Sequence, residues 1–439
     1  MSEERARIEE FDILIRNCTI LPISGQIVES GMIGVNGNRI SYVGKIKKKS
    51  KGETEVDAEN MVAMPGLINC HTHVPMTIFR GLAEDKKAGD WFNEIIWPLE
   101  AKLSPDDVYW GALLGCLEMI RSGTTCFSDM YYMEEQVARA VEEIGIRGVL
   151  ALGVIENGDK ARGEQGLKAG INFVEKYNKS ANGRISTWLG PHAPYTVGPQ
   201  LLKRFREEAY RLGVGLHIHL AELLEMKELV KSKYGTSPVK FLDDLGFLKG
   251  DVLAAHCIHI SDEELKTLVS RDVKIAYNPI SNMKIAAGVA RVYDLLKSGA
   301  VVGIGTDSAA SNNSLDMFQT MKFAALLQKI HYMNPEALPI DEILRMATTG
   351  GARALGLEKV IGSFEAGKLA DIILVKTKRP HLSPSNNHKA NLVYSANGAD
   401  VDTVIIDGRI VMINRQVSTV NEEEVMQRAR DAIEDLLSE

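Results

Sequence analysis

Cysteine is scarce in this sequence: Cys18, Cys70, Cys116, Cys126 and Cys257 are five in 439 residues, odd in number and unclustered. That excludes a disulfide framework and points to a reducing compartment. Long apolar runs are missing too, and no stretch reaches the ~18 residues that a membrane span needs. The opening Met1-Ser2-Glu3-Glu4-Arg5-Ala6-Arg7 is charged with no apolar core behind it, unlike a secretory signal. Basic clusters are also lacking: 51 Lys and Arg against 58 Asp and Glu leave a net charge of −7, a poor match for a phosphate backbone. These absences predict a soluble cytoplasmic protein that binds neither nucleic acid nor membrane.

What is present is ordinary globular composition, with 45% hydrophobic and 25% charged residues, which excludes disorder. The length is roughly three times a ~150-residue domain, so one small module is excluded and a large barrel with an attached domain fits. Both ends read as β. Near the start, Asp12–Ile15, Met32–Val35 and Ile40–Val43 are short strand-like runs, with Asn36-Gly37 expected to supply the positive-φ residues of a tight hairpin. Near the end, Asp371–Val375, Val404–Ile406 and Ile410–Met412 repeat the pattern, with Asp407-Gly408 at a second hairpin. The two ends are expected to join in one small β-sandwich.

Between them, eight strand candidates alternate with helical periodicity: Val62–Cys70, Thr124–Asp129, Gly148–Ile155, Ile185–Gly190, Val214–Leu220, Asp251–His256, Val273–Tyr277 and Ala300–Gly305. Asp106–Arg121, Gln136–Ile144, Pro199–Leu212 and Ser261–Leu268 are among the intervening helices. Eight alternations over ~300 residues predict an α/β chain with a parallel (β/α)8 barrel. The rival doubly wound sheet lacks its glycine-rich fingerprint after the first strand.

Polar groups gather where these strands end. His71 and His73 close the first run, and residues i and i+2 of a strand point to one side. A lone His-x-His pair is more simply two unrelated histidines, but six of the ten histidines fall in four strand-end segments. His192 follows the fourth strand, His217-Ile218-His219-Leu220-Ala221-Glu222 the fifth, His256-Cys257 the sixth and Asp307 the eighth. Strand C-termini share one rim of a barrel. Three imidazoles and a carboxylate there would hold one metal, lowering the pKa of a water towards ~7. Glu222 is the expected proton shuttle. Periodicity does not choose between His217 and His219; His219 lies nearer the rim, which leaves His217 as the packed residue. Cys126 and Cys257 read as buried apolar groups, and His259 as part of an outgoing loop. Gly362–Lys368 nearly matches a phosphate loop, but Leu369 stands where Ser or Thr should be and a strand follows.

With these segments the chain resembles the amidohydrolase superfamily, and more narrowly the methylthioadenosine/S-adenosylhomocysteine deaminase family, including 5′-deoxyadenosine deaminases. The resemblance runs nearly the whole length. It is carried by Pro65–His73, Met76–Gly81, Gly190–Tyr195, His217–Glu222, Gly305–Asn313 and Ile361–Asp371. It implies a barrel over residues 63–369, flanked by residues 1–62 and 370–439 as the two parts of the β-sandwich domain, the latter with a terminal helix. It also implies metal ligands at His71, His73, His219 and Asp307, and a catalytic role for Glu222, His256 and Asp307. Substrate contacts are implied at Glu100 (to ribose hydroxyls), His192, Glu222 and Asp307. A substrate arginine is expected near Arg162, where the local match is loose. The cofactor is one divalent ion per subunit, Zn²⁺ ahead of Fe²⁺. The implied reaction is hydrolytic deamination of adenosine-type nucleosides by a homo-oligomer, tetramer or dimer. The rivals are a guanine, pterin or other nucleobase deaminase, a triazine hydrolase, and a non-catalytic metal-binding or assembly protein.

Overall fold

The computed structural model describes residues 8–82 and 84–438. Eight strands, each hydrogen-bonded to the next in parallel, form the barrel sheet: β1 Leu67–Thr72, β2 Thr124–Tyr131, β3 Arg147–Val154, β4 Ile185–Pro191, β5 Leu216–Leu220, β6 Val252–His256, β7 Lys274–Tyr277 and β8 Val301–Ile304. Every predicted barrel strand is present, with ends shifted by a few residues.

The first candidate, Val62–Cys70, is two strands rather than one. Met61–Pro65 pairs antiparallel with Ile372–Lys376 in the other sheet, and β1 begins at Leu67 in the barrel. An unbroken apolar run does not reveal a change of sheet. The break falls at Pro65-Gly66: proline has no N–H for a ladder, and a Cβ on Gly66 would lie 2.1 Å from Thr125 Oγ1, so only glycine lets the chain cross there.

The barrel is closed at its C-terminal rim by side chains and loop backbone. The Asp307 N–H donates to the His71 carbonyl (2.9 Å). Asn69 accepts from the Thr306 N–H (3.0 Å) and donates to the Thr306 hydroxyl (2.7 Å), fully buried.

The second sheet has nine strands and is built from both chain ends, with Met61–Pro65 between Glu9–Ile20 and Ile372–Lys376. Ile13, Ile15, Ile33 and Val35 from one end share a buried core with Ile372, Leu374 and Ile405 from the other. The C-terminal hairpin turns as expected, with Asp407 and Gly408 at φ 52° and 73°. In the N-terminal hairpin the turn is Gly37-Asn38 and only Gly37 is left-handed (φ 57°), because Asn36 still pairs with Arg39. Gly362–Lys368 is a turn tied to this sheet: the Ile40 N–H donates to the Lys368 carbonyl at 2.9 Å. Arg147 locks the two sheets together, donating to both Asp371 oxygens (3.0 and 3.1 Å) where both residues are buried.

Local signals account for the helices that cover the barrel. Ser104 caps Pro105–Arg121 in a reciprocal bond with Asp107, with proline at the first turn. Ser261 and Glu264 do the same for Asp262–Ser270. The terminal helix, Glu422–Ser438, lies against the barrel helix Pro105–Arg121 and is pinned by an Arg121–Glu422 ion pair. Among the described residues no helix is long and apolar enough to cross a membrane.

Candidate active site

The residues singled out in the sequence converge at the C-terminal rim. β1 delivers His71 and, one residue beyond its end, His73; β5 delivers His219, β6 ends in His256, and Asp307 follows β8. His256, Asp307 and Ala221 have left-handed backbones (φ 75°, 62° and 52°), which turn the chain sharply as it leaves each strand. Such conformations in non-glycine residues concentrate at functional sites.

The ring nitrogens identify what this point can hold. His73 Nδ1 donates to the Met130 carbonyl (2.6 Å), and His219 Nδ1 donates to the His192 carbonyl (3.0 Å). A carbonyl only accepts, so each Nδ1 carries a proton, and in the neutral ring that leaves Nε2 with a lone pair. The two Nε2 atoms lie 3.2 Å apart, a pairing that two acceptors cannot satisfy and a cation between them can. His71 Nε2 is fully buried with no hydrogen-bond partner, while its Nδ1 meets His217 Nε2 at 2.9 Å. Asp307 Oδ1 lies 3.7 Å from His71 Nε2 and 3.5 Å from His73 Nε2. Burial holds His71 and His219 well below the usual imidazole range, and neighbouring histidines add to the effect, so both are neutral, as a ligand must be. Three imidazoles and a carboxylate fit one divalent ion of the Zn²⁺ or Fe²⁺ type.

Each donor is held from behind, as metal-site imidazoles usually are. The His192 carbonyl takes both the main-chain N–H of His219 (2.9 Å) and its ring. His217, held neutral at about 3 by burial, backs His71 rather than reaching the rim. Ser281 donates to Asp307 Oδ2 (2.6 Å) and the Ser308 N–H to Oδ1 (2.7 Å). Asn282 Oδ1 accepts from His256 Nδ1 (2.9 Å), so His256 Nε2 faces Glu222 Oε1 at 3.7 Å and Asp307 Oδ2 at 3.9 Å.

His73, His219, His256 and Asp307 line a cleft of about 710 Å³, its open mouth included, together with Trp91, Trp97, Tyr131, Tyr132, Tyr195 and Ile155. Glu222, Glu100 and His192 also line it. Burial raises the Glu222 carboxyl above the usual range, favouring a proton on it. Burial likewise pushes Glu100 to about 7 and holds His192 near 3. Arg162 is exposed and lines a neighbouring cleft that shares Trp97, Glu100, Tyr132 and Ile155 with this one. His259 turns outward to the Ala287 carbonyl (2.8 Å), and Cys126 and Cys257 are buried without disulfide partners.

Sequence reasoning overlooked the supporting residues Asp129, Ser281 and Asn282, and the aromatic wall. Asp129 carried a usable signal, being a carboxylate near the end of a barrel strand. The wall carried none, because tryptophans on a loop read equally well as core.

The amidohydrolase family model matches residues 62–411. A 5-methylthioadenosine/S-adenosylhomocysteine deaminase of Desulforudis audaxviator is 48% identical over 420 residues, covering 95% of this chain and 97% of the relative. A 5′-deoxyadenosine deaminase of Methanosarcina acetivorans is 46% identical over 430 residues, covering 97% and 99%. Among solved structures, a zinc-bound adenosine deaminase from Xanthomonas campestris superimposes with a TM-score of 0.92 at 30% identity, covering 99% of this chain and 100% of the other. With the family model spanning most of the chain and relatives this similar along nearly all of it, the protein belongs to the amidohydrolase family.

Proposed function

We propose that this protein deaminates adenosine-type nucleosides (5′-methylthioadenosine, S-adenosylhomocysteine, 5′-deoxyadenosine and adenosine) to the inosine analogues and ammonia. The observation that carries this reading is the pair of facing Nε2 atoms, with Asp307, His256 and Glu222 around the same point. His71, His73, His219 and Asp307 are the proposed ligands. A divalent ion bound by them supplies acidification of water near neutral pH.

The chain's own groups perform the rest. Glu222 takes one proton from the attacking water and delivers it to purine N1, which opens C6 to addition. The water oxygen bonds to C6, the C6–N6 bond breaks, and the second water proton leaves with the amine as ammonia. Asp307 is placed to relay that proton, and His256 to bond the oxygen as it adds. Glu100 offers two acceptor oxygens to a vicinal diol, and His192 borders the base. The names of the deaminase relatives support this substrate class.

Zn²⁺ is the proposed ion, supported by the nitrogen-rich donor set and by the zinc-bound structural relative. Residues 63–369 form the proposed catalytic unit, with 1–62 and 370–439 its companion. A cytoplasmic homotetramer or homodimer is the proposed working form. It is supported by five buried free thiols and by an exposed apolar stripe of Phe323, Leu326 and Ile330 along one helix, with exposed Met333 just past its end. A panel of 5′-modified adenosines, free adenine, guanine and a chlorotriazine, assayed for ammonia or chloride release with metal analysis, tests the reading. Ammonia from the ribosides supports it; preference for a free base, chloride release, or metal without turnover each replaces it with one of its rivals.

A further inference from the structure

His73 stands where β1 ends and the 3-10 helix Val74–Phe79 begins. The residue before a helix commonly accepts a first-turn N–H with its own side chain. His73 makes no such bond, because its ring is committed to the Met130 carbonyl and to the cluster of imidazoles. The Val74 N–H, on a residue with no exposed surface, needs another acceptor. It finds one on the neighbouring strand: Asp129 Oδ1, 2.6 Å away. The same oxygen accepts from the Thr72 hydroxyl at 2.5 Å. Main-chain pairing of β1 with β2 is irregular here: the register slips between Asn69 and Thr72, and the last pair is Thr72 with Asp129, one residue short of His73. One buried carboxylate oxygen therefore ties the residues on both sides of His73, while the next residue along β2, Met130, ties its ring.

We infer that Asp129 is a positioning residue: it fixes the backbone about His73 so that Nε2 meets His219 and Asp307 at the metal-binding point. The inference rests on the reading of His73 as a ligand. It requires an acceptor oxygen, not a charge, and Asp129 Oδ2 has no hydrogen-bond partner that an amide would displace.

The test titrates the full-length, metal-stripped chain with Zn²⁺ against a chromophoric chelator, with circular dichroism as a check of folding. Asp129→Asn keeps the oxygen and is expected to bind Zn²⁺ within about threefold of the parent. Asp129→Ala removes it and is expected to weaken binding by about 10–100-fold, the usual effect of losing a group that orients a ligand. Parent-like affinity in Asp129→Ala, or Asn as weak as Ala, overturns the inference. Should Asp129→Ala not fold, Thr72→Val decides: weaker binding than in Asp129→Asn supports the tie, and equal affinity in both overturns it. His73→Ala separates the two levels. If that variant keeps the ion, the ligand assignment itself is wrong; if it loses the ion while Asp129→Ala does not, only the positioning role fails.

Discussion

Replacing Glu100 by glutamine should make the protein more stable and a worse riboside deaminase at once. Burial pushes the Glu100 carboxyl from its ordinary 4.5 to about 7. The displacement corresponds to ~3 kcal/mol against the charged form; the side chain is half-buried, so screening by solvent lowers the working range to about 1–3 kcal/mol. The folded chain keeps a proton that the unfolded chain releases, so this residue's contribution to stability falls as pH rises from about 4.5 to about 7 and is level above that. Glutamine has no charge to bury. Glu100→Gln should therefore gain about 1–3 kcal/mol at about pH 8 and little at about pH 5, read from denaturant unfolding. A bound divalent ion draws the carboxyl downwards, so the chelated protein gives the full window. With Glu100 in the proposed role, the same change in the metal-loaded enzyme removes a charged acceptor from the diol. A hydrogen bond to a charged group is worth ~1.5–3 kcal/mol, a loss of about 10–150-fold in kcat/KM for adenosine, with little change for 2′,3′-dideoxyadenosine. Equal stability gains at both pH values would refute the burial argument. An unchanged preference for the diol would refute the role in recognition and favour a nucleobase substrate.

Two substitutions address the centre directly. His219→Ala should leave a folded chain without its metal or activity, measured by elemental analysis and ammonia release; full occupancy would move the ligand assignment to His217. Glu222→Gln should retain the ion and lose about 10²–10⁴-fold in kcat, the usual worth of general acid–base catalysis, and retained turnover would remove Glu222 from the proton path.

The barrel was legible in the sequence because parallel strands buried on both faces leave apolar runs, and amphipathic helices separate them. The rim was legible because a barrel gathers its strand ends, so His71, His219, His256 and Asp307 could be grouped although far apart in the chain. Two kinds of feature were hidden. The division of Val62–Cys70 between two sheets depends on what lies beside Gly66, which no periodicity records. The supports of the site, such as Asp129 behind His73 and His217 behind His71, depend on which strand stands next to which. His217 and His219 share a face by spacing, and only depth within the barrel gives one to His71 and the other to His73.

The closure between Asn69 and Thr306 joins groups 237 positions apart. Contacts of such separation cannot form until nearly all the intervening chain exists, and they make folding slow. A chain in course of synthesis has His71, His73 and His219 long before Asp307, whose N–H fixes the His71 carbonyl from across the seam. With the ligand set proposed above, metal capture waits for a late step of assembly. A polypeptide stopped before Val301 would carry three imidazoles but neither the fourth donor nor the strand that sets the first, and dialysis should strip Zn²⁺ from it readily. Tight retention by such a fragment would show that the site is built before the ring of strands is complete.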